Sequence, residues 1–384
     1  MSFERWAARA FADAEGRHFG SGWLSGALSV FLSTLCVFAV LCFKYPGLLV
    51  MAELRSAYPL PVMRAILELA IGLSFLFGFL SALLRRRKVL ALTGLSLAWL
   101  AVLLGGSEVP LGAAGEGKFY LGLDWFVLSL LGTTLIFVPL ERFFPYRAQQ
   151  SVFRRGWLTD LQHFFVSHLL VQVLTYLSLL PATVLFAWLI GPALQEVVRA
   201  QPLWLQVLEI VLVADLAEYS IHRLFHTVPW MWRFHAIHHS VERMDWIAGS
   251  RLHLVDIVLT RGFTFLPIYL LGFAQPAVFI YLAFVAFHAV FLHGNVNVRL
   301  GALEQFIAMP RYHHWHHSSQ PEALDKNFAL HFPWLDRLFG TQYLPPRAWP
   351  ERYGVAGYTL PEGWWPQLLW PFRRAQAPLS GKAP

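Results

Sequence analysis

Eight apolar runs, near residues 22–43, 62–84, 89–106, 120–140, 163–195, 203–221, 255–273 and 274–293, govern what this chain can fold into. A bilayer core of about 30 Å is crossed by about 20 helical residues. Within it, every backbone N–H and C=O must find its partner inside the chain, and a helix meets that demand residue by residue. The runs therefore predict an all-α, polytopic transmembrane helical bundle. Composition agrees: 57% of the 384 residues are hydrophobic and 14% charged, against roughly 25% charged in a soluble domain. The 163–195 run is long for a single pass. Pro181 predicts a kink there, with a helical hairpin as the alternative.

Charge orients the bundle. With Arg5, Arg9 and Arg17 in the cytoplasm and 163–195 crossing once, Arg85–Lys88, Arg142, Arg147, Arg154 and Arg155 fall on the same side, while Lys44, Arg55, Lys118 and Arg199 fall on the other. That bias follows the positive-inside rule and accounts for the net charge of +7. No basic face of the kind a nucleic-acid partner needs is evident. Cys36 and Cys42, the only cysteines, sit inside the first run and read as small hydrophobes. The first run lacks a small-residue cleavage site and reads as an anchor.

Three histidine clusters occupy the second half: His222-Arg-Leu-Phe-His226, His235-Ala-Ile-His238-His239 and His313-His314-Trp-His316-His317. The topology brings all three to the cytoplasmic ends of the spans. Residues three and four apart share a helix face, so each cluster sends two or three imidazoles in one direction. His222, His226, His235, His238, His239, His313, His316 and His317 offer eight nitrogens. Tetrahedral zinc takes four ligands and an octahedral ion six, so the count argues for two metals in a cytoplasmic, histidine-rich cap. Imidazole suits zinc, copper, iron and nickel alike. Glu218 and Asp215 lie one and two turns before His222 on one face. They read either as carboxylates that accept a ligand's free ring N–H or as helix-end groups that reach water or Arg223.

The three boxes resemble the fatty acid hydroxylase superfamily, also called the sterol desaturase family, of membrane-bound non-haem di-iron oxygenases. Asp215 through Arg223 resembles the first box, and Pro310-Arg311-Tyr-His313-His314-Trp-His316-His317 the third, with His314 at a place often basic in relatives. Asn327 and Leu335-Asp336-Arg337-Leu338-Phe339-Gly340-Thr341 resemble the closing motifs, with Phe328-Ala329 in place of Tyr-Gly and Leu335 in place of Trp. Within that resemblance His293 stands where a family residue completes the metal shell. His253, with Asp256 three residues on, resembles an Arg-x-His element. His253, His288 and His314 are further ligand candidates or outer partners, and His163 and His168 read as helix-face residues.

The resemblance implies two iron ions, which zinc can replace on purification, with O2 as co-substrate. It also implies hydroxylation or desaturation of a lipid C–H bond (fatty acyl, sterol or terpenoid), on a lipid arriving from the bilayer. No Gly-rich dinucleotide fingerprint and no cysteine set for an iron–sulfur cluster is present. Electrons are therefore expected from a separate donor, a ferredoxin or a b-type cytochrome with its reductase. A zinc-dependent lipid hydrolase or isomerase is the alternative enzyme, and a metal transporter the alternative from another class. The chain divides into residues 1–150, a transmembrane region of about four spans; 151–345, the catalytic domain; and 346–384, a Pro- and Trp-rich segment in which Trp364, Trp365 and Trp370 suit a membrane interface. A bacterial inner-membrane protein with its active site facing the cytoplasm fits this reading.

Overall fold

The computed structural model describes residues 20–51, 59–112 and 120–373. Arg5, Arg9, Arg17, Arg55 and Lys118 of the charge count, and the C-terminal segment from 374, lie outside the described residues. Among the described residues no strand forms, and two isolated bridges join Pro145 to Val296 and Ser318 to Tyr353. The principal helices are α1 (Trp23–Lys44), α2 (Leu60–Leu84), α3 (Val89–Leu103), α4 (Leu123–Phe143), α5 (Trp157–Leu169), α6 (Val171–Leu185), α7 (Pro192–Ala200), α8 (Leu203–Thr227), α9 (Pro229–His239), α10 (Leu254–Leu271), α11 (Gln275–His293), α12 (Pro310–His316), α13 (Pro333–Leu338) and α14 (Trp364–Leu369).

Six of the described helices are long and apolar enough to cross a membrane: α1, α2, the Val89–Glu108 run that begins with α3, α4, α10 and α11; α5 and α6 make a seventh if their bent pair is one span. The protein is a multi-pass membrane protein. Helix α8 has 25 residues, ample length at about 1.5 Å per residue, but unlike the six it carries Glu209, Asp215 and Glu218.

The long 163–195 run bends elsewhere than expected. Pro181 lies inside α6, and the 65° bend falls between Leu169 and Val171. There the Leu169 carbonyl accepts the Gly122 N–H at 3.0 Å and the Gln172 side chain accepts the Tyr120 N–H at 2.7 Å. A loop has captured groups that would otherwise continue the helix. Gly122 permits this approach, since a Cβ there would lie 2.8 Å from the His168 carbonyl oxygen.

Two compact units are present: Met1–Gly132 with His168–Gln172, and Thr133–Ser167 with Val173–Pro384. The first unit reaches into α4, and residues 346–373 belong to the same unit as the histidine clusters. In the first unit α1, α2 and α3 pack closely through small residues. Ser29 donates to the Ser74 carbonyl at 2.8 Å, and a Cβ on Gly94 would meet the Ser29 side chain.

In the second unit α8 packs against α9, α10 and α11. Val198, Ile210, Ala214, Ile268, Phe273, Ala277 and Tyr281 form the core that joins α8, α10 and α11 to α7. One residue, Val228, separates α8 from α9, and it is extended because Pro229 follows. Proline cannot continue α8, yet it is well suited to open α9. The sharp turn folds the α9 histidines back over those at the end of α8. The C-terminal segment docks onto α5: Gly363 N–H bonds to Thr159 Oγ1 and Trp364 N–H to Gln162 Oε1, both at 2.9 Å. His163 joins this seam through Gln367 and the Leu252 carbonyl, and His168 lies against the Trp125 ring.

Candidate metal centre

The clusters fold into two groups. His222, His226, His235, His239 and His316 bring one ring nitrogen each within 4.8 Å of one another, and so do His238, His293, His313 and His317. The two His-x-x-His-His boxes each divide between the groups. On α9, His235 and His239 are four apart and face one group, while His238 faces the other. On α12 and the residue after it, His313 and His317 share a group, while His316 turns to the first. The groups are therefore adjacent, and the His239 and His317 rings are 4.6 Å apart.

Outer hydrogen bonds orient the rings. His222 Nδ1 meets the Phe328 carbonyl at 2.8 Å, His235 Nδ1 the Asp256 carboxylate at 2.8 Å, and His226 Nδ1 the Asp325 carboxylate at 3.3 Å. His238 Nδ1 meets the Arg251 carbonyl at 3.2 Å, His293 Nδ1 the Ala289 carbonyl at 2.7 Å, and His316 Nδ1 the Lys326 carbonyl at 2.8 Å. A carbonyl or carboxylate oxygen can only accept, so each of these Nδ1 atoms carries the proton and donates. In a neutral imidazole the other nitrogen is then a bare lone pair. Yet His222 Nε2 and His235 Nε2 are 3.1 Å apart, and His238 Nε2 and His293 Nε2 3.2 Å. Two lone pairs at that distance repel unless a cation lies between them. Zinc-type M–N bonds of about 2.1 Å put neighbouring ligand nitrogens roughly 3.0–3.4 Å apart. The buried His316 Nε2 has no partner within the protein. The donor set fits two cations.

Burial, followed by the neighbouring imidazoles, holds His238, His239, His313 and His317 well below the ordinary histidine range. Burial takes His316 down to about 3, although its bond to the Lys326 carbonyl opposes the shift. Neutral rings at pH 7 are the form that binds metal.

The supports of these partners extend outward. Asn327 sits at φ 61, a region asparagine tolerates. Its side chain donates to the Tyr312 and Tyr343 carbonyls and accepts the Tyr343 N–H. Asp336 accepts the N–H groups of Phe328 and Ala329, both at 2.8 Å, and the Thr341 and Tyr312 hydroxyls. Together they fix the Phe328 carbonyl that orients His222, so the Phe side chain at that departure from the family pattern leaves the bond intact. Buried Arg251 reaches Asp160 through Nε at 2.5 Å, and Arg154 bonds both Asp160 and Asp245 at 2.6 Å. This network holds the backbone whose carbonyl orients His238.

His293 lies in the four-histidine group. Three other candidates lie in neither group. His253 caps α10 by accepting the Val255 N–H, and its Nε2 meets the Leu368 carbonyl. His288 is bonded to the Ala308 carbonyl and to His331, and His314 to the Gly294 carbonyl and the Tyr353 hydroxyl. Asp215 accepts three backbone N–H groups, of Leu330, His331 and Phe332, at 2.7–2.9 Å. Glu218 accepts from Thr264 at 2.8 Å. Neither carboxylate touches a clustered histidine. Sequence reasoning missed Asp256, Asp325 and the Arg251 carbonyl as partners. The Arg-x-His element signalled the region, but its orienting groups are the Arg251 backbone and Asp256. A narrow cleft with about 20 Å3 of water-accessible space opens onto the five-histidine group between His226, His239, His316, Ser318, Asp325 and Ala356.

A membrane helix bundle with two adjacent all-histidine groups defines a membrane metalloprotein, and comparison with known proteins gives the class. The fatty acid hydroxylase model matches residues 207–341. The ornithine lipid hydroxylase OlsE of Rhizobium tropici is 32% identical over 296 residues, 75% of this chain and 87% of that protein. Alkylglycerol monooxygenase of Homo sapiens is 32% identical over 128 residues, 33% of this chain but 28% of that protein. Methylsterol monooxygenase 1 of Rattus norvegicus is 24% identical over 224 residues, 56% of this chain and 73% of that protein. No solved structure matches the chain. The chain belongs to the fatty acid hydroxylase family. It is a membrane-bound lipid hydroxylase of that family.

Proposed function

We propose that the enzyme hydroxylates a C–H bond of a membrane lipid with two iron ions, O2 and electrons from a separate carrier. The catalytic domain of 151–345 would hold one ion on His222, His226, His235, His239 and His316, and the other on His238, His293, His313 and His317. The observation that carries this reading is the pair of Nε2–Nε2 contacts, His222 with His235 and His238 with His293, between rings whose protons are committed outward. Bound iron would supply O2 activation, with the overall balance C–H + O2 + 2e− + 2H+ giving C–OH + H2O.

The chain's own contribution is geometric. Asp256, Asp325 and the carbonyls of Phe328, Arg251, Ala289 and Lys326 would keep the proton of six of the nine rings, His222, His226, His235, His238, His293 and His316, on the outer nitrogen and its lone pair inward. Burial keeps the rings neutral and excludes bulk water. The cleft beside His226 and His316 would admit small molecules from the aqueous side, and the lipid would arrive from the bilayer. The named substrates of the relatives are ornithine lipid, alkylglycerol and methylsterol, and a lipid with a polar head and an apolar body is the substrate class they support. The arginine bias supports a cytoplasmic site, a bacterial inner membrane would suit that topology, and a ferredoxin or a b-type cytochrome with its reductase would be the donor.

The test is turnover of iron-loaded protein in liposomes of extracted membrane lipid, with a reducing system and 18O2. The expected product is a lipid carrying one 18O atom. Product formed without O2, or with oxygen taken from water, would favour zinc-type hydrolysis and end the proposal.

A further inference from the structure

A basic cavity lies just beyond the end of α4, apart from both histidine groups. Hydrogen bonds fix the segment that forms it. Pro145 bridges to Val296, and the Tyr146 N–H donates to the Asn295 carbonyl at 3.2 Å. The Asn295 side chain accepts the Arg147 N–H at 2.8 Å and donates to the Arg147 carbonyl at 3.1 Å. Gln150 Nε2 donates to the Met244 carbonyl at 2.7 Å, which draws Arg243 against the same segment. The cavity there has about 360 Å3 of water-accessible space and is lined by Arg147, Ala148, Gln149, Gln150 and Arg243. Small-ligand sites run from roughly 300 to 1,000 Å3.

The lining carries two guanidinium groups and no carboxylate. The Arg147 guanidinium lies over the Tyr146 and Tyr353 rings at 5.5 and 5.1 Å, and its Nη2 donates to the Glu351 carbonyl at 3.2 Å. These contacts position the group without cancelling its charge. The side chains of Gln149 and Arg243 are exposed and bond to no described residue. Glu242, next to Arg243 in the chain, pairs with Arg155 at 3.9 Å. A pocket of about 30 Å3 adjoins the cavity, shares Arg147, Ala148 and Gln150 with it, and reaches Arg142. The carboxylate in that pocket, Glu141, is committed to the N–H groups of Trp246 and Asn295 at 2.7 and 2.9 Å. Charges of one sign around a concave surface focus the local field and concentrate the opposite ion.

The cavity also has a level in the membrane. Helix α4 is a spanning helix that ends at Phe143. Phe143 is 78% exposed and Phe144 53%, so apolar rings are left for hydrocarbon at the edge of the bilayer core, and Arg147 follows three residues later. Arginines at that level meet lipid head groups. We propose that this cavity binds the phosphate of an anionic phospholipid head group. The planar fork of arginine matches phosphate oxygens two at a time, and the Gln149 amide supplies a further donor. No residue lining the cavity belongs to either histidine group, so the site stands independently of the lipid-hydroxylase reading.

The experiment measures lipid retention by native mass spectrometry on full-length protein in detergent, with metal content per chain as the control for folding. The probes are dioleoylphosphatidylglycerol, dioleoylphosphatidylcholine as the net-neutral phosphate lipid, and inorganic phosphate as competitor. Wild type is expected to retain phosphatidylglycerol at least about fivefold better than phosphatidylcholine, the scale of one arginine at an anionic surface. Arg243→Gln should lose most of that preference, and it removes no bond within the protein. Arg147→Gln should lose it too, while Arg243→Lys, which keeps the charge but not the fork, should keep part. Arg299→Gln removes an exposed arginine that lines neither pocket and should leave the preference unchanged. Displacement of the lipid by millimolar phosphate would show the anion alone to suffice, and resistance to it would show that the acyl chains add to the hold; either agrees with a phosphate site.

Wild type with no preference between the two lipids would overturn the proposal. So would Arg243→Gln and Arg147→Gln proteins that prefer phosphatidylglycerol as wild type does. An equal loss in Arg299→Gln would also overturn it, by showing a diffuse surface charge instead of a site. A poly-glutamate peptide bound through Arg243, with no lipid preference, would assign the cavity to an acidic protein and end the lipid assignment.

Discussion

His238 and His239 are adjacent in the chain but serve different groups. Their rings are 5.8 Å apart and nearly perpendicular, at 89°. His239 Nε2 lies 3.1 Å from His226 Nε2, and His238 Nε2 lies 3.2 Å from His293 Nε2. One helical turn of α9 thus contributes to both groups and fixes their separation.

Asp256 orients His235 at 2.8 Å from outside the group. Removing such an outer partner typically costs about 10- to 100-fold in metal affinity. Asp256→Ala is expected to show that loss in a chelator competition assay, and Asp256→Asn, which can still accept the ring N–H, a smaller one. Unchanged affinity in the alanine variant would show that the carboxylate does not set the ring.

Gly249 packs against the His293 ring, where an added Cβ would lie 2.8 Å from Nδ1 and 3.0 Å from Cγ. Gly249→Ala should push His293 out of the four-histidine group. We expect it to lose metal from that group alone and to be inactive, with the fold retained by circular dichroism. A fully metallated Gly249→Ala protein would contradict the placement of His293.

Asp336 accepts two backbone N–H groups and two hydroxyls while fully buried. Asp336→Ala leaves those donors unpaired and should cost about 3 kcal/mol. The thermal midpoint in detergent should fall by several degrees. Metal affinity should fall with it, because the Phe328 carbonyl is no longer fixed. A stable variant with weakened metal binding would separate the two effects.

Acid should destabilise the metal-free protein. His238, His239, His313 and His317 have folded pKa values depressed well below 6.5 by burial. The unfolded chain therefore binds their protons first. Their contribution is complete above about pH 6.5 and is lost as pH falls toward the depressed folded values. Thermal midpoints of metal-free protein should decline steadily from about pH 7 to pH 5. A flat profile across that window would mean that these rings are not buried neutral.

The apolar runs made the helices legible, because one period and one length account for a spanning segment. They did not show where the 163–195 run bends. The proline suggested residue 181, but a loop N–H from Gly122 captured the Leu169 carbonyl, and such long-range backbone bonds leave no local pattern. The clustered histidines were legible because four-residue spacing puts side chains on one face. Their division into groups of five and four was not, since it depends on how α9 and α12 are rotated against α8 and α11. Asp215 looked like a partner for a histidine, because helical spacing aligns it with His222. Tertiary structure gave its carboxylate to the backbone at 330–332. The true orienting groups are mostly backbone carbonyls, which every residue possesses and no motif reveals.

Metal content per chain, measured by mass spectrometry on gently purified, iron-supplemented protein, tests the central claim most directly. Wild type should hold about two ions, one for each histidine group. His239→Ala should keep the ion of the four-histidine group, and His238→Ala that of the five-histidine group, with lipid oxidation abolished in both. A single ion in wild type, or none, or full occupancy in both variants, would contradict a centre built from two separate histidine groups.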